Sequence, residues 1–263
     1  ASIALMITFQ AGQIILGRML PLSGVAGIYY FCVVLADQSV RVLTHNLAGV
    51  LLPALSRIQD DRERISKAVM NATGLMLLVG VPMCALQAAL AGPLIRVFFN
   101  DKWLPAIGCF AAISVAAIGR LVQCPSESML QAQGRFRAYM TVAIAYAVVF
   151  VGSMYAAAVW APEDEVTTWV AAAGGVCLLV MGPTVFILAL GRAAAGKLVR
   201  LLGVPLVMTA ISLVPTGVLL YKLPAGDAWD VVTIVVGTLT CGGIYLFLVR
   251  KMAAAEWKQL GVR

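Results

Sequence analysis

The stretch that decides the fold is Leu35-Ala-Asp-Gln-Ser-Val-Arg-Val-Leu-Thr-His-Asn46, set inside an apolar segment running from about residue 24 to 56. A helix through it puts Asp37, Arg41 and His45, four residues apart, on one face, with Gln38 and Asn46 beside them. Each charge at mid-bilayer costs about 2.5–3.5 kcal/mol on insertion scales. That face therefore turns away from lipid, toward other helices or a water-filled hollow. The segment leaves through Leu51-Leu-Pro-Ala-Leu-Ser-Arg-Ile-Gln-Asp-Asp-Arg-Glu-Arg64, the most charged stretch of the chain. Pro53 near its exit marks an expected kink.

The rest of the chain reads the same way. Of 263 residues, 62% are apolar and only 12% charged, about half the charge of an ordinary soluble domain. One core cannot hide that much apolar surface. Apolar runs of membrane-spanning length recur between short polar breaks, and they are continuous rather than alternating. The fold class expected is an all-α polytopic membrane protein with about eight transmembrane helices. The segments lie near 1–20, 24–56, 65–98, 104–131, 137–160, 167–190, 200–221 and 230–249, followed by a tail over 250–263. The chain opens with Ala1 inside an apolar segment, which suggests a fragment whose N-terminal portion is absent.

The net charge of +7 is spread over loops and gives no nucleic-acid signature. It works instead as a topology signal. Loops after the even-numbered segments hold thirteen basic residues, from Arg57 to Arg263, against four after the odd ones: Arg18, Arg96, Lys102 and Lys222. That bias puts the first set, and the C-terminus, in the cytoplasm. Trp103, Trp160, Trp169 and Trp229 sit where outer interfacial anchors belong, and Trp257 suits a tail lying on the inner leaflet. The six cysteines lie inside apolar segments without metal-ligand spacing and read as unpaired core thiols. Ala171-Ala-Ala-Gly-Gly175 and the glycines Gly237, Gly242 and Gly243 would allow close helix approach.

Enzyme chemistry finds little support. There is no phosphate-binding Gly-Lys-Ser/Thr loop, no metal-spaced His, Asp and Glu set and no nucleophile elbow, so no metal and no cofactor are expected. A membrane glycosyl or phosphoryl transferase would have to draw on Asp60, Asp61 and Glu63, which alternate with arginines. Glu163, Asp164 and Glu165 read as a solvated outer loop.

What remains is polar chemistry at membrane depth. Arg120, Gln123 and Glu127 share a helical face on the fourth segment. Gln10, Gln13 and Arg18 occupy the first. Asp37 is the local partner expected for Arg41, and Arg120 has Glu127 or Asp37 to choose from. Two readings stand: intramembrane ion pairs that fix packing, or a cavity in which guanidinium groups grip an anion such as phosphate. His45 reads as a packing histidine or a proton-linked switch.

Several stretches resemble the polysaccharide transporter (Wzx/WzxC-like) branch of the MOP flippase superfamily. They are Ile15-Leu-Gly-Arg-Met-Leu20, Gly27-Ile-Tyr29, Leu52-Pro-Ala-Leu-Ser-Arg-Ile-Gln-Asp-Asp-Arg-Glu-Arg64, Pro93-Leu-Ile-Arg-Val-Phe-Phe-Asn-Asp-Lys-Trp103 and Leu130-Gln-Ala-Gln-Gly-Arg135. Order and spacing agree over roughly residues 1 to 140; beyond that only the hydropathy matches. The resemblance implies a protein of about fourteen spans in two lobes around a central cavity. This chain would supply the C-terminal six-helix lobe (1–192) and two trailing helices with a cytoplasmic tail (193–263), the N-terminal lobe being absent. It implies a transporter, not an enzyme, in the bacterial inner membrane. The cargo would be an undecaprenyl-diphosphate-linked oligosaccharide, flipped by alternating access and coupled to H+ or Na+. Membrane lipids would be partners; nucleic acid would not. Relatives often place Asp or Asn where Gly12 and Gln13 stand, so an acidic ion-coupling role is not expected in that helix.

The cavity residues expected on this reading are Arg18, Arg41 and Arg120, with Gln13, Asp37, His45, Gln123 and Glu127. A multidrug or small-solute exporter of the same superfamily, and the membrane transferase, are the alternatives.

Overall fold

The computed structural model describes residues 2–19, 24–99, 101–162, 165–221 and 227–253. Among these the regular structure is helical, with no strand. The helices are α1 (Ser2–Met19), α2 (Val25–Ser56), α3 (Arg62–Ala89), α4 (Ala91–Phe98), α5 (Ala106–Ala132), α6 (Phe136–Trp160), α7 (Val166–Leu190), α8 (Ala195–Tyr221) and α9 (Asp227–Leu248). Seven of them, α2, α3 and α5 to α9, are long and apolar enough to cross a membrane. The chain is an all-α, multi-pass membrane protein. The tail with Trp257, the residues Glu163 and Asp164, and Lys222 lie outside the described residues.

The expected segments and the helices agree to within a few residues, with one exception. The third segment, read as continuous to residue 98, breaks at Leu90. Pro93 is the physical reason. Its ring would clash with the carbonyl of Ala89 in a continuous helix, and it has no N–H to donate there. Within the first turn of a new helix neither defect matters. The chain therefore ends α3 with the Leu90 N–H bonded to the Leu86 carbonyl at 2.9 Å and starts α4. At the other end of α3, Asp61 is the N-cap and accepts from the Arg64 N–H at 3.0 Å. One of the three carboxylates that a membrane transferase would draw on is thus occupied as a helix cap, and it also pairs with the Arg64 side chain. α2 stays helical through Pro53 to Ser56.

α5 is the most buried helix and forms the spine. It packs on α7, α2 and α3, while α6 covers α7 and α1. Small residues set the α5–α7 crossing. A Cβ on Gly119 would lie 2.2 Å from the Leu178 carbonyl oxygen, and one on Gly182 would lie 2.3 Å from the Gly119 oxygen. Only glycine lets these backbones touch. Gly175 belongs to this seam, its would-be Cβ 3.0 Å from that of Ala116. Gly242 and Gly243 do not serve this purpose, since nothing lies within 4 Å of the Cβ each would carry. Valines such as Val42, Val50 and Val148 point outward from the bundle, as a lipid-facing surface requires.

α8 and α9 pack on α3 and α4. Among the described residues, two polar contacts fasten α9 to α3 and α4. Arg96 on α4 grips Asp230 in a two-pronged pair, Nε to Oδ2 at 2.8 Å and Nη2 to Oδ1 at 3.1 Å. That bond holds the Arg96 guanidinium above its ordinary pKa, so the charge is fixed. The Tyr245 hydroxyl donates to the Leu78 carbonyl at 2.6 Å. That carbonyl would ordinarily accept from residue 82, but position 82 is proline. Tyr245 thus satisfies the oxygen that Pro82 leaves open in a medium without water.

Candidate functional site: a polar cavity between α2, α5, α6 and α7

A cavity of about 380 Å³ opens where α2, α5, α6 and α7 meet. The helical period of α2 puts Tyr29, Val33, Asp37, Arg41, Thr44, His45 and Ala48 on its wall. α5 contributes Ala116, Ala117, Arg120, Gln123, Cys124 and Glu127. Six of the eight expected residues therefore share this hollow: Asp37, Arg41, His45, Arg120, Gln123 and Glu127. Arg18 and Gln13 do not. Arg18 is exposed in the last turn of α1 and Gln13 is half-buried, both outside the cavity lining. α1 packs mainly on α6 and α2, and Gln13 and Arg18 do not line the hollow.

The pairing differs from the local one expected. Asp37 does not hold Arg41. It forms an ion pair with Arg120 across the α2–α5 contact, and both side chains are partly buried. Arg41 Nη2 donates instead to Gln38 Oε1 at 3.2 Å. Helix geometry allows i,i+4 and i,i+3 partners equally, but the close approach of α5 brings a second guanidinium to Asp37. The consequence is a division of labour. Arg120 carries a charge largely balanced by its carboxylate. Arg41, bonded to a neutral amide, lines the cavity with no carboxylate partner among the described residues. Glu127 accepts from Gln131 Nε2 at 3.1 Å. The Cys124 thiol donates to the Thr44 carbonyl at 3.5 Å, a further bond between α2 and α5.

Aromatic groups complete the lining: Tyr29 from α2, and Tyr146 and Phe150 from α6. Sequence reading passed over them because each sits among apolar neighbours. Their period was the available signal, since Tyr139, Tyr146 and Phe150 repeat at seven and four residues along one face of α6. Tyr29 stands where it does because position 12 is glycine; a Cβ there would lie 2.4 Å from the ring. The cysteines are free thiols, with Cys32, Cys84, Cys109 and Cys241 buried and Cys124 and Cys177 partly so.

This arrangement is suited to holding a polar ligand. It offers a guanidinium, an ion pair, amide and hydroxyl groups, and the edges of buried aromatic rings. Comparison with known proteins adds the family context. Residues 1–108 match the model of a family described as polysaccharide biosynthesis protein. The resemblance to polysaccharide transporters is borne out. Over 114 residues the chain is 34% identical to the succinoglycan biosynthesis transport protein ExoT of Rhizobium meliloti, covering 42% of this chain and 23% of that protein. It is 24% identical over 123 residues to the teichuronic acid biosynthesis protein TuaB of Bacillus subtilis, covering 47% and 25%. It is 26% identical over 147 residues to the lipopolysaccharide biosynthesis protein WzxC of Escherichia coli, covering 54% and 30%. The matched part thus spans about a quarter of the length of these curated relatives. No solved structure matches the chain.

Proposed function

We propose that this chain serves as part of a transporter that flips a lipid-linked oligosaccharide, of the undecaprenyl-diphosphate kind, across the bacterial inner membrane. The observation that carries the reading is the convergence of Arg41 on α2 and the Asp37–Arg120 pair on one intramembrane cavity. It occurs in a chain whose first 108 residues match a polysaccharide biosynthesis family. A doubly charged diphosphate entering the hollow meets Arg41 first. It then competes with Asp37 for Arg120, which a guanidinium's two-pronged geometry favours. Ligand pockets commonly run from about 300 to 1,000 Å³, and at about 380 Å³ the cavity is near the lower end. It suits the diphosphate and the first sugar, not a whole oligosaccharide. The remainder would occupy space shared with a second lobe of like build.

In this reading residues 1–192 act as the six-helix lobe, and 193–263 provide two further helices on its flank and a cytoplasmic tail. Transport proceeds by alternating access, without covalent chemistry, and is coupled to H+ or Na+. The test is replacement of Arg41 by Gln in the complete transporter within the producing cell. Surface polysaccharide is expected to disappear while the amount of inserted protein holds. Polymer at the unsubstituted level from Arg41→Gln and from an Asp37→Asn/Arg120→Gln pair would refute the assignment of the cavity.

A further inference from the structure

α2 carries a polar stripe on its open side. Gln38, Arg41, His45 and Gly49 follow one another at three- and four-residue steps, and all four are exposed. The helix is 32 residues long, about 48 Å at 1.5 Å per residue, against a hydrocarbon core of about 30 Å. Arg41 lies near its midpoint, so the stripe starts at mid-membrane depth. Lipid is a poor neighbour for it, since one arginine there costs about 2.5–3.5 kcal/mol. The stripe is also one-sided. Toward the start of α2 the same face continues as Val34, Tyr30 and Gly27, exposed and without charge. Toward the end come His45 and Gly49, then Pro53 and Ser56, and beyond them the loop with Arg57, Arg62 and Arg64. Arg41 and His45 belong to both settings, because they line the hollow as well. The stripe is therefore a polar edge leading from the hollow toward the basic end of α2. It is unobstructed at Gly49, where nothing lies within 4 Å of the Cβ a larger residue would carry.

We infer that this edge is the route by which a prenyl diphosphate head group reaches the hollow: the head passes Gly49, bonds to His45 and is taken over by Arg41, while the prenyl chain stays in lipid beside Val42 and Val50. The inference rests on the flippase reading and deepens it by naming the side of entry, the basic end of α2. The chemistry selects the occupant. Arg41 has no carboxylate partner among the described residues, so an anion suits it, above all one with paired oxygens. A neutral lipid would gain nothing from Arg41. A free anion would gain nothing from Val42 and Val50, which flank the stripe and are well exposed. A prenyl diphosphate has a part for each surface.

The test uses the full chain in lipid nanodiscs, with a fifteen-carbon prenyl diphosphate as probe and association and dissociation followed separately. Gly49→Phe puts bulk on the route without touching the hollow, and no neighbouring atom is close enough to clash. It is expected to slow association and dissociation alike by about 10-fold, within the one to three decades over which association rates vary among variants of one interface. The dissociation constant should hold. Val34→Phe, exposed on the other side of Arg41 and outside the cavity lining, should change neither rate. His45→Ala should slow association and weaken binding about 3- to 10-fold, the worth of one hydrogen bond. Unchanged rates in Gly49→Phe and His45→Ala would overturn the route. Equal slowing by Val34→Phe would overturn it too, because a protein surface would then cover the whole stripe. If Gly49→Phe fails to insert, His45→Ala against Val34→Phe decides. If the unsubstituted chain does not bind the probe, the flippase reading falls and the route with it. If it binds, and Arg41→Gln weakens binding while Gly49→Phe and His45→Ala leave the rates alone, only the route falls.

Discussion

The α5–α7 crossing offers the sharpest test of how this bundle is built. In most helix interiors, replacing glycine by alanine stabilises by about 1 kcal/mol, because glycine loses more backbone freedom on folding. At Gly119 the sign should reverse. The new methyl would sit 2.2 Å from the Leu178 carbonyl oxygen and 2.7 Å from its carbon, where carbon–oxygen contacts settle at about 3.3 Å or more. The obstacle is backbone, so no change of rotamer relieves it, and the two helices must part by about 1 Å. Overpacking of this kind costs about 1–3 kcal/mol. A backbone clash belongs near the top of that range, which leaves a net loss of about 2 kcal/mol after the helix-propensity gain. Gly182→Ala meets the Gly119 oxygen at 2.3 Å and should behave alike. The double substitution should cost less than the sum, since the first already separates the helices. Gly152→Ala on α6, with nothing within 4 Å of its would-be Cβ, is the control and should be neutral or stabilising. Reversible unfolding in mixed micelles gives these differences. Gly119→Ala as stable as the control would refute a backbone-to-backbone crossing. The crossing also bears on the site, because Gly175 and Leu178 of the same seam line the cavity.

Two further substitutions probe the ion pairs. Asp37→Asn removes the carboxylate that Arg120 pairs with and should destabilise by about 2–3 kcal/mol, less than the roughly 3–5 kcal/mol for breaking a fully buried pair, because both side chains are only partly buried. Asp37→Asn/Arg120→Gln should recover most of that loss in the same unfolding assay. Additive losses would mean the two groups do not act as a pair. At the α4–α9 contact, Asp230→Asn removes the charge from a two-pronged bond whose acceptor is almost wholly buried. It should cost about 1–3 kcal/mol and raise amide hydrogen exchange in α9 while leaving α2 unchanged. Uniform exchange across the chain would show that this contact does not fasten α9.

The chain's own order of residues determined where the helices run, because each apolar run bounded by polar residues satisfies its backbone only as a helix once water is gone. It also determined that Asp37, Arg41 and His45 share one face, and Arg120, Gln123 and Glu127 another, since that follows from 3.6 residues per turn. Pro93 was visible, yet its effect depended on where α4 could pack. Tertiary structure alone decided that Asp37 answers Arg120 rather than Arg41, because local spacing is indifferent between partners and only the crossing of α2 and α5 chooses. It decided that Arg18 stands outside the hollow that Arg41 enters and that Tyr245 fills the bond Pro82 leaves open. Period fixes the face a side chain occupies, but which neighbour stands opposite is a property of helices meeting far apart in sequence.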